Sequence, residues 1–187
     1  MEKRFHKRQV VKRPLPNPDP ERLSLYAPEF HVEDVRRGGV PNWRESVDPP
    51  IRDVIFALHD EVPCIEKTTW SCAGKSHETD PRESLKDPDF GRKYTCGAYF
   101  VAVFRTDDEN LEVAQAFEDA LTSDVFAFGE GENSFRGKIA CSTARKHNIS
   151  ERPRRHYFFA YDKPPTAGMI DALWDVVREK IEPFKEK

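Results

Sequence analysis

From residue 48 onward the apolar positions repeat with the periods of regular structure, and before it they do not. Asp48 stands where a cap is wanted and Pro49 suits a first helical position. Ile51, Val54, Ile55, Leu58 and Val62 then recur at helical spacing, which predicts a helix. A short β segment over Cys64 to Trp70 precedes a polar stretch from Ser71 to Lys93, longer than the roughly 12 to 15 residues usual for a passive connection. Between Tyr94 and Arg105 both alternating sets are apolar, the pattern of a central strand covered on both faces. Asp107 or Asp108 opens a helix with Leu111, Ala114, Phe117 and Leu121 on its buried stripe. Strands are predicted over Val125 to Phe128, Phe135 to Thr143 and His156 to Tyr161. A last helix opens near Thr166 and carries Met169, Ile170, Leu173, Val176, Val177 and Ile181 on one face. The order α-β-β-α-β-β-β-α predicts an α/β (α+β) domain: a mixed β-sheet with about three packed helices rather than a doubly wound repeat.

Residues 1–47 read differently. Pro14, Pro16, Pro18, Pro20 and Pro28 punctuate them and periodic apolar positions are few, so they are expected to form a basic, proline-rich extended arm before a single domain over 48–187. Lys3, Arg4, Lys7, Arg8, Lys12 and Arg13 concentrate positive charge at its start. Such an arm suits phosphate contacts, a partner protein or simple solvation. Composition changes the picture only by exclusion. The net charge of −3 gives no global attraction to nucleic acid, so any such attraction must come from a local patch. No run approaches the roughly 18 apolar residues of a membrane span, and the chain is expected to be cytoplasmic. Cys64, Cys72, Cys96 and Cys141 show no Cys-x-x-Cys spacing, so reduced thiols are expected and no metal site is assigned.

Candidate chemistry gathers at Thr68-Thr69-Trp70-Ser71-Cys72-Ala73-Gly74-Lys75, where a strand ends in small hydroxyl- and thiol-bearing residues closed by glycine and lysine. Backbone N–H groups exposed in such a turn, with Lys75 beside them, can hold a phosphate or carboxylate. The same residues also suit a plain tight turn with a buried Cys72. Cys72 and His77 can be paired as nucleophile and base, or with Cys96 and Cys141 around zinc, but no ligand spacing favours the metal. Gly129-Glu130-Gly131-Glu132-Asn133 has the glycines of a phosphate loop, yet its carboxylates would repel an anion. A second basic cluster, Arg145, Lys146, His147, Arg152, Arg154, Arg155 and His156, flanks the last two strands, with Trp70 and Tyr94 as candidate stacking faces.

Asp48-Pro49-Pro50-Ile51 at a helix head, followed by the Thr68 to Lys75 turn, resembles the methyltransferase family of tRNA wybutosine synthesis, which has a Thr-Ser-Ser-Cys-Ser-Gly-Arg-like turn. Ala73 stands where that family has the serine after its cysteine and Lys75 where it has arginine, and the insertion over Ser76 to Lys93 is a further departure. The resemblance implies an RNA-directed, tRNA-modifying protein using S-adenosylmethionine. Ser71, Cys72 and His77 would then be catalytic, and Lys75, Arg145, Arg154, Arg155 and Tyr94 would bind substrate. The alternative expectation is a non-catalytic subunit whose N-terminal arm grips a partner.

Overall fold

The computed structural model describes residues 8–17, 19–24, 26, 43–74, 86–142 and 148–186. In chain order its elements are β1 (Gln9–Arg13), α1 (Pro20–Ser24), α2 (Arg52–Asp60), β2 (Ile65–Cys72), β3 (Lys86–Asp87), β4 (Gly91–Arg92), β5 (Tyr94–Phe104), α3 (Asp108–Thr122), β6 (Asp124–Phe128), β7 (Phe135–Cys141), β8 (Arg154–Tyr161) and α4 (Ala167–Ile181). Six strands form one mixed sheet in the order β1-β6-β7-β8-β5-β2. Every pairing is antiparallel except the parallel addition of β1 to β6. This is the expected α+β class.

The helices form for the reasons their sequences suggest. Asp107 caps α3 by accepting from the Asn110 N–H at 3.2 Å, and Ala114, Phe117 and Leu121 are buried as the stripe predicted. Thr166 caps α4, whose buried face includes Met169, Ile170, Leu173, Val176, Val177 and Ile181, with Trp174 added. Asp48 behaves otherwise than expected. A 3-10 turn, Pro49–Ile51, precedes α2, and the Asp48 carboxylate makes no cap bond there. It accepts instead from the Ala73 N–H at 2.7 Å, tying the helix entry to the end of β2.

α2, α3 and α4 pack on one face of the sheet. Phe100, Phe104, Tyr157 and Phe159 point into that layer and meet Trp174 and Phe117 ring to ring. Each such aromatic contributes about 2 to 3 kcal/mol of apolar burial. At Gly137 a Cβ would come within 3.0 Å of Leu173, so the missing side chain lets α4 lie close on β7.

Residues 9–17, 19–24 and 26 do not extend away from the domain as the arm was expected to. β1 completes the edge of β6, and α1 rests on α4. Arg13 meets Glu179 at 2.7 Å, Arg22 meets Asp171 at 2.8 Å and Asp175 at 2.7 Å, and the buried Tyr26 hydroxyl donates to Asp171 at 2.9 Å. Backbone pairing on an open edge and these charge contacts outweigh the proline punctuation. The long polar stretch likewise has structure of its own, the β3–β4 hairpin.

Candidate nucleic-acid interface

Side chains on a strand alternate between faces, so the positions of β2, β5 and β8 that do not meet the helices share the other face. The ladder registers put them in three rows. Lys67, Val103 and Arg154 make one, and Trp70, Val101 and His156 the next. Cys72, Tyr99 and Phe158 make the third. None of the nine is a carboxylate. Trp70 is 65% exposed, and the Arg154 guanidinium lies 4.8 Å from its ring centre. The Tyr99 and His156 rings meet edge-on with centroids 4.9 Å apart, and Lys93 stands 5.5 Å from the centre of the Phe158 ring. Partial burial, with the Arg154 charge beside it, holds the His156 imidazole below its ordinary value, so it is neutral at neutral pH.

The third row ends at the turn in which the sequence placed its chemistry. Ser71 and Cys72 are the last residues of β2 rather than part of a turn. Ser71 is paired with Phe100, in the row that faces the helices. Burial pushes the Asp48 carboxyl above the usual carboxylate range, while hydrogen bonds from the Ala73 N–H and the Cys72 thiol pull the other way. The Ala73 carbonyl accepts from the Trp174 indole at 2.8 Å, so Ala73 is held on both sides. Gly74 follows at φ +98, where a Cβ would come within 2.7 Å of that of Ala98, so only glycine fits.

The expected site residues are not brought together as one group. Lys75, His77 and Arg145 lie outside the described residues. Tyr94 is half-buried opposite Tyr161 at the far end of β5. Arg154 and Arg155, expected to bind the same substrate, lie inside β8 and point to opposite faces. Arg155 is 1% exposed, with its guanidinium 2.9 Å from Glu118 of α3, which removes it from any surface site. Among the described residues no three His, Cys, Asp or Glu side chains gather as a metal site requires. Burial pushes the Cys96 thiol up to about 12 and the Cys64 thiol up to about 11, which suits packing rather than metal ligation or nucleophilic attack.

Tyr99, Phe158 and Lys67 were not singled out from sequence, whereas His156 was, as a member of the second basic cluster. The available signal was the parity of β8, where Arg154, His156 and Phe158 alternate with Arg155, Tyr157 and Phe159. Comparison with protein-family models, curated proteins and solved structures finds no match to this chain.

Proposed function

We propose that the protein binds single-stranded RNA across β2, β5 and β8 and acts as an RNA-directed protein. The observation that carries this reading is the large indole of Trp70, left exposed and sharing its face with Arg154, His156, Tyr99 and Phe158. Exposed aromatic faces accept unpaired bases of any sequence, and cations beside them follow the backbone. A net charge of −3 is no obstacle, because the positive groups are local.

Tryptophan fluorescence at low salt, titrated with oligouridylate, tests it. Binding quenches the emission, Trp70→Phe removes most of the quench, and Trp70→Ala weakens affinity by about 5- to 150-fold, the range of one lost base stack. Equal affinity in wild type and Trp70→Ala refutes the reading.

A second reading, S-adenosylmethionine-dependent modification of the bound strand, is favoured by the Asp48, Cys72 and Ala73 contacts at the end of the third row. Heat of binding of S-adenosylmethionine to the RNA complex checks it, and its absence with RNA bound removes that reading alone. An adaptor working through its arm draws no support from β1 and α1, which β6 and α4 of the same chain already engage.

A further inference from the structure

The β3–β4 hairpin covers the other half of this same face, the half built on β7. Lys138 belongs to the parity of β7 that points away from the helices, yet it is only 3% exposed. Its ammonium donates to Asp87 and to Asp89, each at 2.6 Å, and lies 4.9 Å from the centre of the Phe90 ring. The Arg136 guanidinium, bonded to Asp162 at 3.0 Å, lies 5.4 Å from that ring on its own account. Arg8 approaches Asp89 at 3.5 Å. One aromatic ring is thus contacted by two cations, and two carboxylates sit on the buried ammonium. A nucleotide offers the same contacts with its base and its phosphates. The hairpin has only two residues in each strand, too short to be stable alone, so these side chains hold it in place.

We infer that Arg136 and Lys138 form a second nucleotide subsite, filled in the free protein by the chain's own hairpin, and that an RNA strand long enough to run from Trp70 onto β7 displaces it. Phe90 stands in for a base and Asp87 with Asp89 for phosphates. The inference rests on the single-stranded RNA reading above and extends it. Short strands use the open half of the face alone. Longer strands gain the Arg136 and Lys138 contacts, offset by the hairpin contacts they break.

Amide hydrogen exchange on the native protein, with a uridine trinucleotide and a dodecanucleotide as probes, tests this. The dodecanucleotide is expected to accelerate exchange at residues 86–92 several-fold, and the trinucleotide to leave them unchanged. Removing both carboxylates leaves Lys138 buried without a partner and risks unfolding. Phe90→Ala keeps the ion pairs and is the variant to compare. It should bind the dodecanucleotide about 10-fold more tightly and the trinucleotide as wild type does, because only the longer strand competes with the hairpin. If both probes bind and exchange at 86–92 is unchanged or slowed by the longer one, the inference is overturned while the RNA reading stands. If the longer strand releases the hairpin and binds Trp70→Ala as tightly as wild type, the Trp70 platform reading falls and the second subsite stands. Binding by neither probe overturns both.

Discussion

Adjacent arginines on β8 show how differently the two faces of one sheet use the same residue type. Arg155 points into the helix layer, 1% exposed and ion-paired with Glu118, whereas Arg154 lies in solvent over the Trp70 ring. Tyr157 and Phe159 continue the first pattern, fully buried against Phe100 and Trp174. His156 and Phe158 continue the second, half-buried and bordered by cations. Residue composition hardly distinguishes these faces. What covers each of them does, since an aromatic under three helices contributes cohesion and an aromatic without them offers a contact surface.

Substitutions on the two faces should separate stability from binding. Phe159→Ala or Trp174→Ala is expected to cost about 3 to 5 kcal/mol, read as a shifted guanidinium midpoint, because each leaves a cavity under α4. Trp70→Ala should cost under about 1 kcal/mol by the same measurement. Comparable losses on both faces would erase the distinction.

The arginine pair gives the next largest contrast. Arg155→Ala leaves the Glu118 carboxylate without its buried partner and is expected to destabilise by about 3 kcal/mol. Arg154→Ala should leave the unfolding midpoint within about 0.5 kcal/mol of wild type and lower affinity for oligouridylate several-fold. An Arg154→Ala protein that binds RNA as wild type does would take this residue out of the interface.

pH sharpens the comparison further, with opposite signs for stability and binding. The folded protein holds His156 below its ordinary value of 6.5, so the unfolded chain takes up the proton first. The His156 contribution is therefore present above about pH 6.5 and is lost as pH falls through the lowered folded value. Asp87 acts in the same direction at lower pH. Its burial raises the carboxyl, but the hydrogen bond and charge of Lys138 outweigh that and hold it below 3.8, so its contribution fades as pH falls below about 4. RNA affinity should instead rise on acidification, since phosphate favours the protonated imidazole, and His156→Phe should flatten that rise. Titrations from pH 7 to about pH 5 read both quantities. The smallest effect is expected at Asp107→Ala, about 1 kcal/mol from the lost cap of α3, with RNA affinity unchanged.

Much of the fold was legible because periodicity reports burial directly. α3 and α4 fall where their apolar stripes and their Asp107 and Thr166 caps indicated. β1 was not legible, since Gln9–Arg13 has only Val10 and Val11 as apolar residues and its pairing partner β6 is more than a hundred residues away. Asp48 shows the same limit on a smaller scale. Its place before Pro49 suits a cap, but the Ala73 N–H, brought near by the fold, takes the carboxylate.

The sequence by itself determined α2, α3, α4 and the strands β2, β5, β6, β7 and β8, their order and the α+β class, because local spacing decides which backbone geometry can bury a continuous apolar surface. It also marked Trp70 as a candidate stacking face for the basic cluster that holds Arg154. Only the tertiary structure decided that α2, α3 and α4 gather on one face of the sheet. That choice buried Arg155, left Arg154 in water and aligned Trp70 with His156 across β5. Face selection depends on how distant segments pack, and alternation along a strand supplies two equivalent faces without saying which will be covered.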